Sequence, residues 1–277
     1  LAIGDNAQFV NNTAALSGYG YGGAVYALAS GRSSTIPLTI GDNVQFANNI
    51  AALSGNGYGG AICAHDYVTL TIGDNAHFVN NIAALSGNGY GGVIYAVVSR
   101  SSSRFILAII GDNAQFVNNT AAVAGSGDGG AIYAKLSGVT IQLVQYPSFR
   151  LTIGDNAQFA NNTAAVAGSG CGGAIYAQMS AVEIGFFPPQ YRPFTLTIGN
   201  KARFVSNTAA ESSDGRGGAI YAFTSLEGTS ATISNVITLA IGDNVQLVSN
   251  TAAVAGNGYG GAVFATLSNL ELHISLS

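Results

Sequence analysis

Gly41-Asp42-Asn43-Val44-Gln45-Phe46-Ala47-Asn48-Asn49 is followed, after a short gap, by Gly59-Gly60-Ala61-Ile62-Cys63-Ala64. Both strings recur along the whole chain. Near variants of the first open at Gly4, Gly41, Gly73, Gly111, Gly154, Gly199 and Gly242. Near variants of the second open at Gly22, Gly59, Gly91, Gly129, Gly172, Gly217 and Gly260, always at the same interval from the first. The way back to the next first string varies. It is shortest from Gly59 to Gly73 and longest from Gly172 to Gly199. The chain is therefore seven repeats, each with a fixed and a variable half. Repetition overrides length as the guide to architecture.

Composition follows this division. Of 38 glycines, 34 lie in the fixed halves, whereas all five prolines and most basic residues lie in the variable halves. Those halves read as loops leaving a regular scaffold. The fixed half reads as short strands between sharp turns. Leu38-Thr39-Ile40 alternates apolar and polar before stopping at Gly41-Asp42-Asn43. Beyond the turn stand a small apolar column (Val44 and its equivalents) and a Phe column (Phe9, Phe46, Phe78, Phe116, Phe159, Phe204, then Leu247). The two are separated by the strand period. Ala61-Ile62-Cys63-Ala64 is a third strand. No apolar helical period is sustained, which excludes helices as the main element.

The expected fold is all-β: a right-handed parallel β-helix (β-solenoid) of seven repeats, about one coil per repeat, with variable loops on one side. One repeat domain covers 1–277, with repeats starting near 1, 38, 70, 108, 151, 196 and 239. Coils stacked ~4.8 Å apart make the core that no single coil can bury alone. The shortest return, from Gly59 to Gly73, leaves little room for a second circuit.

Three polar columns recur. Asn12, Asn49, Asn81, Asn119, Asn162, Asn207 and Asn250 read as a structural ladder. Asn tolerates left-handed backbone, and stacked amides can hydrogen-bond to one another. The second column is Asp5, Asp42, Asp74, Asp112, Asp155 and Asp243, with Asn200 in the sixth repeat. These carboxylates would repel one another unless each caps its own turn or shares a cation such as calcium. The third, Gly-x-Gly-x-Gly-Gly, as at Gly55 to Gly60, imitates a phosphate loop. It lacks the following Lys-Ser/Thr and returns in every repeat, so tight turns are its use.

An aromatic stripe, Tyr26, Tyr95, Tyr133, Tyr176, Tyr221 and Phe264, is interrupted by Cys63. It stabilises a stack, or binds glycans if it faces outward. Cys63 and Cys171 lie three coils apart, too far for a disulfide. His65, His77 and His273 do not cluster. No catalytic residues, metal site or cofactor are expected. A net charge of −4 argues against nucleic acid as a partner. No apolar run is long enough to span a membrane as a helix.

The pairing of Phe9-Val10-Asn11-Asn12 with Gly22-Gly23-Ala24-Val25, repeated down the chain, resembles the chlamydial polymorphic outer-membrane protein repeat (Phe-x-x-Asn with Gly-Gly-Ala-Ile). Val93 for Ala in the third repeat and Leu247 for Phe in the seventh depart from it. The resemblance implies a parallel β-helix that is extracellular or on the cell surface, often an autotransporter passenger with adhesive roles. The transmembrane β-barrel and signal peptide of such proteins are not in this sequence, so a processed form or a piece of a longer protein is expected.

The function expected is that of an extracellular structural protein, a subunit that stacks end to end into a filament or surface layer. Charged residues are 8% of the chain, against ~25% on average, which suits packing against other chains. The alternative is a cell-surface adhesin binding a host-cell or matrix protein, or a glycan. Its candidate contacts are Tyr146, Phe149, Arg150, Phe186, Phe187, Tyr191, Arg192 and Phe194. Exposed aromatic and Arg residues in long loops suit interfaces. A polysaccharide-active β-helix enzyme is the weakest reading, since no set of unique charges gathers on one face.

Overall fold

The computed structural model describes residues 1–29, 35–99, 106–141, 149–184, 192–225, 235–267 and 273–276. Every described strand pairs in parallel with its equivalent one repeat away, so each repeat is one coil of a parallel β-helix. The second coil shows the circuit: Ile36–Ile40, Gln45–Ala47, Ile50–Ala52, Gly57–Tyr58 and Ile62–Asp66. Stacked, these five strands become five sheets, numbered one to five in the order the chain meets them. Sheet one has eight strands because His273–Leu276 begins a further turn, paired to Thr238–Ile241.

The coil has five strands where the sequence suggests three. Sheet three (Ile50-Ala51-Ala52 and equivalents) and sheet four (two-residue Gly-Tyr strands) are the additions. The variable halves all leave between sheets five and one. They are not loops throughout: in the fourth and fifth coils sheet five runs on to Ile141 and Ile184, with Val139 paired to Val182. The shortest return has Tyr67 alone between two strands. Asp66 makes that corner in left-handed backbone (φ 61°), and its carboxylate accepts hydrogen bonds from the Ser99 N–H and hydroxyl.

Each coil turns three of its corners in left-handed backbone. The residues are Asn43 and equivalents (Lys201 in the sixth coil), Asn48 and equivalents (Ser206, Ser249), and the first glycine of each Gly-Gly pair. Asn and Gly adopt this region at the least cost. In the Asn-Asn corner the left-handed residue is the first Asn, not the second. The second carries the ladder and is buried in coils two to six. Asn49 donates from both its backbone N–H and its Nδ2 to Asn81 Oδ1, each at 3.0 Å. The same Nδ2 donates to the Phe9 carbonyl at 2.9 Å. The pattern continues through Asn81, Asn119 and Asn162 to Asn207 and Asn250. Buried amides satisfied this way hold neighbouring coils in register, where an unpaired one would cost ~1–3 kcal/mol.

The acidic column bonds to the next coil rather than to its own turn. Asp42 Oδ1 accepts the Asp74 N–H at 2.9 Å, and Asp155 Oδ1 accepts the Asn200 N–H at 2.7 Å. Asn200 passes the pattern on, its Oδ1 accepting the Asp243 N–H at 2.8 Å. One side-chain oxygen suffices, which explains why Asn fits there. Inside the coil the Phe rings stack from Phe9 to Phe204 with centroids 4.6 to 5.3 Å apart. Each fully buried Phe contributes about 2–3 kcal/mol by removal from water.

Candidate functional site

Sheets four and five meet at the Gly-Gly corner, and strand alternation there puts every second side chain outside the coil. Three outward columns result. Along sheet four the register aligns Tyr21, Tyr58, Tyr90, Asp128, Cys171, Arg216 and Tyr259. Along sheet five it aligns Tyr26, Cys63, Tyr95, Tyr133, Tyr176, Tyr221 and Phe264. Two residues further on, Leu28, His65, Val97, Lys135, Gln178, Phe223 and Thr266 form the third.

The middle column is a ring stack. Tyr95–Tyr133, Tyr133–Tyr176 and Tyr176–Tyr221 have centroids 5.2, 4.7 and 5.1 Å apart. Tyr133, Tyr176 and Tyr221 are buried with Val97 in an apolar cluster outside the coil interior. Burial raises the hydroxyl pKa of each, pushing Tyr221 up to about 12. The stripe thus faces outward, yet in coils four to six its rings are covered by one another and by the two flanking columns. At the first coil, Tyr26 is 48% exposed.

The sheet-four column breaks in the fourth coil. Tyr21, Tyr58 and Tyr90 stack with centroids 4.9 and 5.4 Å apart. The next position is Asp128, and no ring of that column covers the other face of Tyr90. A cleft of about 310 Å³ opens there, lined among others by Tyr90, Asp128, Tyr133, Lys135, Tyr176 and Gln178. Burial pushes the Asp128 carboxyl up to about 6, and the Cys171 thiol hydrogen bond and the Lys135 charge work the other way. Burial, reinforced by Asp128, pushes the Cys171 thiol up to about 12, so it is not a poised nucleophile. Tyr176 donates its hydroxyl to Gln178 Oε1 at 2.8 Å.

The candidate loop contacts divide. Phe149 and Phe194 are not at an interface. Both are buried in the coil interior, their rings stacked at 5.0 Å, because sheet one continues through them and alternation turns both inward. Arg150, the next residue, is exposed. Arg192 opens the strand Arg192–Ile198, paired to Asn235. Tyr146, Phe186, Phe187 and Tyr191 lie outside the described residues. Sequence reasoning missed the cleft, although aligning the residue before each Gly-Gly pair shows Asp128 in a tyrosine column. It also missed the contact of His65 Nδ1 with Asp66 Oδ2 at 3.2 Å. Among the described residues, no three His, Cys, Asp or Glu gather as a metal site. No helix among them is long and apolar enough to cross a membrane.

Coils in strict register, side-chain ladders between them and an aromatic outer corner define a repeat protein of the parallel β-solenoid class. Three of its fixed halves are similar to a known repeat: residues 43–65, 113–135 and 156–178 match the Chlamydia polymorphic membrane protein repeat. Each match spans a fixed half, from a left-handed Asn through the Asn ladder and the Gly-Gly corner to the third outward column. No curated protein and no solved structure matches the chain.

Proposed function

We propose that the chain is a binding stretch of a cell-surface protein, a rigid solenoid that presents its aromatic corner to a partner. The repeat match supports an outer-membrane or cell-surface location. The observation that carries the binding role is the gap at Asp128. It opens a cleft on the aromatic corner in which polar groups converge beside tyrosine rings, a form that suits a ligand site. The test compares particles coated with the chain and with Asp128→Tyr, which restores the tyrosine of the second and third coils, for adhesion to cultured epithelial cells. Adhesion that weakens with the variant supports the reading; equal adhesion rejects the cleft as the contact.

A second reading, end-to-end stacking, draws on the end faces. Exposed large apolar side chains concentrate in the first and last coils, with Leu16 73% and Val254 69% exposed. The equivalents of these two residues in the intervening coils are at least partly covered, Glu211 of the sixth excepted. Such faces fit another coil, in a second copy or in a longer chain. Electron microscopy and sedimentation of the purified chain test stacking between copies, and monomers at every concentration would reject it.

A further inference from the structure

We propose that the cleft at Asp128 is a subsite for an uncharged saccharide unit. The inference deepens the binding role above and rests on it. Both columns that flank the tyrosine stack change character in the same two coils. In sheet four, Asp128 and Cys171 replace the tyrosines of the coils before them; in the third column, Lys135 and Gln178 follow Leu28, His65 and Val97. Polar side chains of both columns therefore adjoin in the fourth and fifth coils, with Arg216 following in the sixth and His65 standing apart in the second.

The chemistry available there selects the ligand. One face of the Tyr90 ring stacks on Tyr58; toward the fourth coil the ring has Asp128 beside it in its own column and the Tyr133 ring edge-on, with centroids 5.3 Å apart. A ring face beside hydroxyl, carboxyl, ammonium and amide groups suits a molecule with an apolar C–H face and a rim of hydroxyls. A sugar ring is such a molecule. Above about pH 6, where Asp128 is ionised, it and Lys135 carry opposite charges on the same cleft, which then holds no net charge with which to select an anion. With a carboxyl pKa near 6, Asp128 accepts hydrogen bonds above that pH and can donate one below it, where Lys135 leaves the cleft positive. A peptide held by strand addition is excluded, because in these coils the strands of both sheets are already paired on both edges. A volume of about 310 Å³ is at the small end for ligand clefts and suits a short saccharide.

The probes are free cellobiose, lactose and N,N′-diacetylchitobiose, with a sulfated disaccharide as the charged comparison, followed by saturation-transfer NMR and titration. At least one neutral disaccharide is expected to bind with a Kd below about 10 mM. Tyr90→Ala and Asp128→Tyr should each weaken it more than about tenfold, while Tyr259→Ala, in the same column three coils away, leaves it unchanged. Asp128→Tyr places a side chain that this column already carries elsewhere, so a retained melting temperature separates a filled cleft from an unfolded chain. The proposal is overturned if no neutral disaccharide binds, if only the sulfated one binds, or if Asp128→Tyr binds as well as the unaltered chain. If Asp128→Tyr abolishes cell adhesion while no disaccharide binds, the adhesive role stands and the saccharide falls. If a disaccharide binds through the cleft while adhesion is insensitive to the variant, the saccharide site stands and the adhesive role falls.

Discussion

Asp128 occupies, one coil on, the position of Tyr90, the two residues being register partners in the same parallel sheet. A carboxyl group thus sits where the preceding coils place a ring, and burial raises its pKa from 3.8 to about 6. In the unfolded chain it returns to the ordinary value. Between about pH 4 and 6 the native state therefore holds a proton that the unfolded state has lost. Stability from this group is fully present below about pH 4 and is lost as pH rises through about 6. A two-unit shift bounds the effect at about 3 kcal/mol. Urea midpoints of the unaltered chain, relative to Asp128→Asn, should fall from about pH 4.5 to 7.5. A constant difference between the two would contradict the buried carboxyl.

The Asn ladder predicts a cost that depends on position. The Asn119 side chain accepts from the Asn81 N–H and Nδ2 at 2.9 and 3.0 Å and donates to Asn162 Oδ1 and the Phe78 carbonyl, each at 3.0 Å. Asn119→Ala strands buried donors and an acceptor at once, for an expected loss of about 3–5 kcal/mol. Asn12→Ala, in the partly exposed first coil, removes the Nδ2 donor to Asn49 Oδ1, leaves the backbone N–H bond to the same oxygen in place, and should lose about 1 kcal/mol. Chemical denaturation of the two variants measures the difference, and equal losses would mean the ladder contributes nothing specific to the interior coils.

What can be read from the sequence depends on repetition. The constant interval between the two strings and the Phe column locate coils and core, because identical coils must place identical residues on top of one another. Sheets three and four stay hidden: Thr-Ala-Ala and Gly-Tyr are too short to show an alternation. The left-handed corner falls on Asn48 rather than Asn49, and two adjacent Asn residues look alike until one is buried. Phe149 and Phe194 read as loop residues, since the variable halves align only once strand register is known. The cleft is obscured for the opposite reason. It lies where columns stop repeating, so a search for recurrence passes over it.

The Phe stack should tolerate leucine better than alanine. Phe116 is fully buried between Phe78 and Phe159, with centroids 4.7 and 4.6 Å away. Leu247 shows that the seventh coil accommodates a smaller apolar residue in the same column. Phe116→Ala opens a cavity and removes two ring contacts, for a loss of about 3–5 kcal/mol. Phe116→Leu keeps most of the volume and should lose about 1–2 kcal/mol. Thermal and urea unfolding give the ranking; an alanine variant as stable as the leucine one would show that the stack is loosely packed.

From the second coil on, the glycine that opens the Gly-Asp-Asn turn, or its Gly199-Asn200 variant, is required by the coil stacked beside it. A methyl group on Gly111 would run into Asp74 Oδ1 and would stand 2.6 Å from the Gly73 carbonyl carbon, in the backbone of the preceding coil. Neither can withdraw without breaking the bond in which Asp74 Oδ1 accepts the Asp112 N–H at 2.8 Å. At Gly4, the equivalent residue of the first coil, nothing lies within 4 Å of the same position. Neither glycine has the positive φ that would itself disfavour a side chain. Gly111→Ala should therefore destabilise by about 2–4 kcal/mol. Gly4→Ala should be neutral or gain up to about 1 kcal/mol through the less flexible unfolded chain. If both variants melt with the unaltered chain, the close stacking of coils at this corner is wrong; if both are equally destabilised, the glycine serves its own turn and not its neighbour.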